Sequence, residues 1–168
     1  MTPYQTAALA VLVTLAGVWD WRARRIPNWL TVAGLLAGVA LNSPGSAAKG
    51  FGVALLVYVP LYALRAVGGG DLKLMAAMGA LVGPDVWLVL FVLQAVLGGA
   101  AALVLVIAKG RLRQTISNIG HILRSAPRAE APYERRPELD IADEGAITVP
   151  RGTVIMVATL FYLAVQAL

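Results

Sequence analysis

The sequence contains no cysteine and a single histidine, His121. The chain therefore has no disulfides and no thiol nucleophile, and one imidazole without cysteine cannot build the usual zinc sites. Catalysis, if the chain is an enzyme, has to rest on carboxylate or hydroxyl groups, and we expect neither a metal nor a cofactor. His121 lies in a polar stretch of the chain, where we expect an exposed or interfacial side chain rather than a catalytic one.

Charged residues are scarce as well, because they make up 14% of the 168 residues against 59% for hydrophobic ones. The mean hydropathy is +0.75, which means more apolar surface than a small soluble core can bury. The composition predicts an all-α, polytopic membrane protein. Its net charge of +5 would then reflect orientation and contact with membrane lipids. No module of aromatic and basic residues accompanies this charge, so we do not expect nucleic-acid binding.

Six apolar segments follow one another, separated by residues that break helices. The first does not read as a cleaved signal peptide, since it lacks a basic start and a small-residue cleavage site. A helix of about 17 residues is roughly 26 Å long, close to the ~30 Å hydrocarbon core, whereas the second and fourth segments are shorter. The fourth could instead be a re-entrant half-helix. The segments are residues 3–19, 29–41, 51–67, 72–82, 86–108 and 152–168.

The positions of the basic residues favour six transmembrane helices with both termini outside. In that topology all lysines and arginines except Lys49 fall on the cytoplasmic side, as the positive-inside rule requires. Removing the fourth crossing would place the basic loop 109–150 on the wrong side of the membrane. We therefore predict a single integral membrane domain over residues 1–168, with a cytoplasmic loop at about 109–150 between the fifth and sixth spans.

Within this loop, apolar residues recur at helical spacing, namely Leu112, Ile116, Ile119 and Leu123. Basic residues flank them, so the stretch is typical of an amphipathic helix that lies on anionic lipid. An ordinary solvated linker is the alternative.

Two aspartates stand out, because carboxylates are almost absent from the apolar segments. Asp71 follows Gly68, Gly69 and Gly70 between the third and fourth segments, and Asp20 closes the first. A carboxyl group at membrane depth costs about 2.5 to 3.5 kcal/mol on insertion scales, so such residues are usually functional. In the predicted topology both lie at the cytoplasmic membrane face. We expect the glycines to adopt unusual backbone angles and to let a substrate strand approach Asp71; a flexible hairpin is the alternative.

Paired carboxyl groups of this kind can hydrolyse a peptide bond. One carboxylate takes a proton from water while the other, as a carboxylic acid, polarises the carbonyl group. The sequence does not assign these two roles between Asp20 and Asp71. A small proton-coupled transporter that uses the aspartates as relay sites is the main alternative, although it predicts polar residues throughout the spans. A metal-dependent lipid enzyme is a third option, but two carboxylate ligands make a poor metal site.

The two acidic blocks of the chain resemble those of the type IV prepilin peptidases, which are intramembrane aspartyl proteases with a glycine-x-glycine-aspartate motif. The resemblance implies that the two aspartates are the catalytic pair. It also implies that the chain removes the basic leader peptide of a prepilin-like precursor at the cytoplasmic face of a prokaryotic inner membrane. The blocks are Asp20 with Arg25-Ile26-Pro27-Asn28, and Gly68-Gly69-Gly70-Asp71-Leu72-Lys73-Leu74.

The resemblance is to the short members of that family, such as the peptidases of Tad/Flp pilus systems or archaeal preflagellin peptidases. Longer members carry a cysteine zinc segment and methylate the new N-terminus of the pilin. This chain begins with a span and lacks cysteine, so we do not expect N-methyltransferase activity. Val149-Pro150-Arg151-Gly152 resembles a proline-tyrosine-glycine element of short bacterial members, but Arg151 departs from it, and we expect no catalytic role there.

Four further residues of the two blocks are candidates for the active-site region. Arg25 and Lys73 most simply anchor helix ends at lipid headgroups, or else they lie near the aspartates and favour the ionised form of one of them. Pro27 and Asn28 most simply start the second helix, since proline fits a first turn and asparagine caps a helix.

Overall fold

The computed structural model describes residues 1–64, 66–108 and 151–168, and these residues fold into helices with no strand among them. This confirms the all-α fold class over the described part of the chain. The predicted amphipathic helix in the loop 109–150 lies outside the described residues. The helices are α1 (Pro3–Ala23), α2 (Asn28–Leu41), α3 (Pro44–Ala63), α4 (Gly69–Val82), α5 (Pro84–Ala108) and α6 (Arg151–Gln166).

Two described stretches are long and apolar enough to cross a membrane. They are α3, with a mean hydropathy of 1.4, and the 40-residue stretch Gly69–Ala108, with a mean hydropathy of 2.6. Gly83 divides the second stretch into α4 and α5, while α2 and α6 are apolar but shorter. Large apolar side chains cover the outside of the bundle; Leu56 and Val96, for example, are 76% and 64% exposed. Such a surface suits lipid rather than water, which gives the chain the character of a membrane protein.

Several helix boundaries differ from the limits of the apolar segments, among them the start of α3 and the end of α1. The hydroxyl oxygen of Ser43 accepts the N–H of Ser46 at 3.3 Å and caps α3, with Pro44 in the first turn. Serine and proline are favoured at these positions, so α3 begins earlier than its apolar run suggests. The second of these boundaries is the end of α1, which continues past Asp20. Arg24 ends this helix in the left-handed conformation, with φ 52°.

The central helix of the bundle is α4. Its residues 74–82 are all buried, and it packs mainly against α3 and α2. The crossing with α3 is very close, since a Cβ atom on Gly50 would lie 2.0 Å from the carbonyl oxygen of Gly79. Small residues let two helix backbones approach in this way, as is common between membrane helices. Because other helices surround α4, this helix of 14 residues need not be long enough to face lipid across the whole membrane.

The two ends of the bundle carry different polar groups. At one end, Gln5 Nε2 donates to the Leu81 carbonyl oxygen at 3.3 Å and Asn42 Nδ2 donates to the Ala80 carbonyl oxygen at 3.1 Å. These amides satisfy carbonyls in the last turn of α4 that have no partner within the helix. The opposite end, which we call the site end, contains Asp20 and Asp71. Helices α1, α3 and α5 therefore run towards the site end, and α2, α4 and α6 run away from it.

Candidate active site

Asp20 lies in the last turn of α1, where it is 8% exposed. Its Oδ2 accepts the backbone N–H of Gly152 at 2.8 Å, in the first turn of α6. The first N–H groups of a helix lack partners within that helix, so its N-terminus favours a negatively charged neighbour. Helix α6 thus binds the carboxyl group of Asp20 on α1.

Asp71 lies in the first turn of α4 and is partly buried. Its Oδ2 accepts the N–H of Gly68 at 3.4 Å, which is a long hydrogen bond that closes the start of the helix. The acid stands three residues after the N-cap, which is the spacing of a capping box. Local sequence is therefore sufficient to place this carboxyl group at the N-terminus of α4.

Both aspartates line one cavity of about 1200 Å³ at the site end of the bundle. Asp71 interacts electrostatically with Arg151 and, to a smaller extent, with Asp20. The volume is far larger than the roughly 10 to 15 Å³ that one water molecule needs by the same measure, so the cavity can hold more than a single water beside the carboxyl groups. Small and apolar residues of α5 and α6 form one part of the wall, and they include Ala95, Gly98, Gly99, Ala102, Val154 and Ile155.

The three glycines before Asp71 also line the cavity, but their backbone differs from the prediction. Gly68 is extended, with φ −78° and ψ 155°, while Gly69 and Gly70 already belong to the first turn of α4. Gly83 is the described glycine with a positive φ, so the expectation of unusual angles at 68–70 is wrong. A Cβ on Gly68 would lie 3.6 Å from Asp71 Oδ2, which is an ordinary van der Waals contact, so the space at this position does not by itself require glycine.

The comparison with known protein families agrees with this geometry. A sequence model of the type IV leader peptidase family matches residues 7–103, a range that contains both aspartates. The chain belongs to the type IV leader peptidase family. No curated protein and no solved structure matches it. The resemblance seen in the two acidic blocks is therefore confirmed, the family indicates a peptidase, and it gives the transporter alternative no support.

Three of the four other predicted residues of this leader peptidase line the cavity. Arg25, Pro27 and Asn28 line it, whereas the exposed Lys73 does not and instead donates from Nζ to Asn28 Oδ1 at 2.9 Å. The expectation that Asn28 caps α2 is wrong. Pro27 is the N-cap, without a side-chain bond, and Asn28 is the first helical residue. Its amide oxygen is thus available to join α2 to α4 through the lysine.

One polar pair of the peptidase's cavity was missed by the sequence analysis. Gln94 on α5 donates a hydrogen bond from Nε2 to the hydroxyl oxygen of Tyr58 on α3. Tyr58 is buried and makes edge contacts with Trp87 and Phe91. A signal was present in the sequence, because Gln94 interrupts the apolar run 86–108 and a polar side chain at membrane depth is costly unless it is bonded.

The start of α6, for which no catalytic role is expected, lies against Asp20 and beside the cavity that contains Asp71. Gly152 contacts Asp20, and Arg151 lines the cavity and interacts with Asp71. Both residues lie beyond the stretch that the family model matches. Among residues 1–64, 66–108 and 151–168, no three His, Cys, Asp or Glu side chains come together in a group that could hold a metal ion.

Proposed function

We propose that this peptidase is an aspartic endopeptidase that cleaves the basic leader of a prepilin-like precursor at the cytoplasmic face of the inner membrane. The observation that carries the proposal is that Asp20 and Asp71, on separate helices, line one cavity. Family membership supports peptidase chemistry and a substrate of the prepilin type. The enzyme would be of the short type found in Tad/Flp pilus systems, and the proposal includes no methyl transfer.

In the proposed mechanism the two carboxyl groups share one proton before the reaction. The ionised aspartate removes a proton from water, and the water oxygen attacks the carbonyl carbon of the scissile peptide bond. The protonated aspartate gives its proton to the carbonyl oxygen, so a neutral gem-diol forms. The first aspartate then protonates the amide nitrogen, a hydroxyl proton of the gem-diol returns to the second, and the C–N bond breaks. Each aspartate ends in the protonation state in which it began.

The proposed substrate is an apolar helix preceded by a basic leader. The junction between the two has to unwind, because a helix engages its peptide groups in its own hydrogen bonds. The cavity offers a surface for the unwound segment, since its wall includes Gly98 and Gly99 of α5. A Cβ on Gly99 would meet nothing within 4 Å, so an entering chain can come close to the α5 backbone.

The proposed orientation places the site end in the cytoplasm. Arg22, Arg25, Lys73 and Arg151 belong to that end, whereas Lys49 lies in the first half of α3, which starts at the opposite end. Basic residues are retained preferentially on the cytoplasmic side. With six crossings, both termini would then lie outside.

Substitution of the aspartates tests the proposal. Asp20→Asn and Asp71→Asn keep the size of the side chains but cannot exchange the proton, so each should reduce cleavage of a co-expressed precursor at least 100-fold (about 10² to 10⁴ per acid or base group). Asp85→Asn is the matched control, because Asp85 is exposed in the first turn of α5 at the opposite end of the bundle. Full processing by either site variant, with normal membrane insertion, would refute the proposal.

The same assay separates proteolysis by aspartates from a metal-dependent reaction. Cleavage by the purified enzyme should be unchanged in excess EDTA, since the proposed mechanism uses no metal ion. Loss of cleavage in EDTA and its recovery on addition of a divalent cation would contradict the proposed mechanism.

A further inference from the structure

The first turn of α6 packs directly against Asp20. The N–H of Gly152 donates to Asp20 Oδ2 at 2.8 Å. A Cβ atom on Gly152 would lie 2.8 Å from the Cβ of Asp20 and 3.1 Å from both its Cγ and its Oδ2. No side chain larger than hydrogen fits there without moving the aspartate or the helix.

A second contact holds α6 at this position. Thr153 Oγ1 donates to the carbonyl oxygen of Gly17 at 3.1 Å, about one turn before Asp20 on α1. The two helices approach closely at the same level, because a Cβ on Gly17 would lie 2.6 Å from the Cβ of Met156. The Gly152 N–H is therefore carried by a helix that packs tightly on α1, and its direction towards Asp20 is set by that packing.

The neighbouring residue brings a positive charge to the other aspartate. Arg151 lines the cavity that both carboxyl groups share, and it interacts electrostatically with Asp71 and with Tyr58. At a helix N-terminus near the membrane surface, an arginine could also serve only as a lipid anchor. Arg151 is exposed, as Lys73 is, but Arg151 lines the cavity and Lys73 does not.

We propose that Arg151 and Gly152 form a positioning element of the active site. Gly152 holds the Asp20 carboxyl group through its N–H, and Arg151 balances the negative charge that the aspartate pair carries during the reaction. This inference rests on the proposed aspartic peptidase. It assigns a role to a part of the chain that the family match does not reach.

Steady-state kinetics with a purified precursor test the proposal. Gly152→Ala should lower kcat by up to about 100-fold, since displacing a catalytic group by about 1 Å can cost that much, with KM within about twofold. Arg151→Gln should lower kcat about 10-fold, which corresponds to about 1.4 kcal/mol less stabilisation of the transition state, and Arg151→Lys should recover most of the loss because it keeps the charge. Gly52→Ala is the matched control, since a Cβ on Gly52 meets nothing within 4 Å, and it should leave both constants unchanged.

Wild-type kcat in Gly152→Ala or in Arg151→Gln would overturn the role given to that residue. An Arg151→Lys variant as slow as Arg151→Gln would show that the charge is not what matters. Should Gly152→Ala fail to accumulate as folded protein, the Arg151 pair decides the proposal. If the variants of Asp20 and Asp71 are active, the proposed function itself fails, whereas inactive aspartate variants with unaffected α6 variants remove only the positioning role.

Discussion

Replacing Gly79 with alanine should force α3 and α4 apart at the place where their backbones are closest. A Cβ on Gly79 would lie 2.3 Å from the carbonyl oxygen of Gly50 and 2.8 Å from its carbonyl carbon. An ordinary carbon contact is about 3.5 Å, so the backbones have to separate by roughly 1 Å. Neither atom belongs to a flexible side chain that could turn away.

The expected loss of stability follows from two opposing effects. Overpacking typically costs about 1 to 3 kcal/mol, and the upper end applies because both partners are backbone atoms of packed helices. Alanine in place of glycine within a helix returns about 1 kcal/mol. We therefore expect Gly79→Ala to lower the free energy of unfolding by about 2 kcal/mol. Since α4 carries Asp71, precursor cleavage should fall as well.

Thermal unfolding in detergent micelles, followed by circular dichroism, measures the change in stability. Gly52→Ala, on the α3 helix in open space, is the control and should gain about 0.5 to 1 kcal/mol. Equal unfolding temperatures for Gly79→Ala and Gly52→Ala would refute the close crossing. So would a Gly79→Ala protein that is more stable than the wild type.

The same unfolding assay tests three further contacts. Gln5→Leu removes the donor to the Leu81 carbonyl oxygen and the acceptor of the Thr2 N–H in the capping box of α1. It should cost about 1 to 3 kcal/mol, because a buried acceptor is left without its partner; no change would rule out a structural role for these bonds. Lys73→Met breaks the exposed bond to Asn28 and should cost no more than about 1 kcal/mol, so a larger loss would contradict the exposed position. Trp87→Phe removes a buried N–H donor to a carbonyl of α4 and should cost about 2 kcal/mol, and an unchanged unfolding temperature would argue against that bond.

The helices were predictable because the apolar segments are long and the breakers between them are strong. A helix forms at each of the six predicted segments, since a long apolar run in lipid satisfies its backbone groups most simply within itself. The start of α3 was also readable from Ser43 and Pro44, but the apolar run alone does not show it. The family could be identified from two short acidic blocks, and the match over 7–103 confirms it.

The contacts at the site were less predictable. The position of the Asp71 side chain depends on local sequence, because this residue occupies the first turn of its own helix. The hydrogen-bond partner of Asp20 does not follow from local sequence, since Gly152 is separated from it by almost the whole chain. The glycines at 68–70 were misinterpreted for a related reason: glycine permits unusual backbone angles but does not impose them, and the helix that follows includes two of them.

The sequence by itself determined the helical class, the number of apolar segments and the identity of the two candidate aspartates, because composition, run length and chain order suffice for these. Only the tertiary structure decided which faces of the helices meet. These helices are apolar around most of their circumference, so no single stripe of residues indicates the packed side. Close crossings at Gly17, Gly50 and Gly79 decide it instead. The crossing at Gly17, where α1 meets α6, brings Arg151 and Gly152 to a candidate site whose aspartates lie far earlier in the chain.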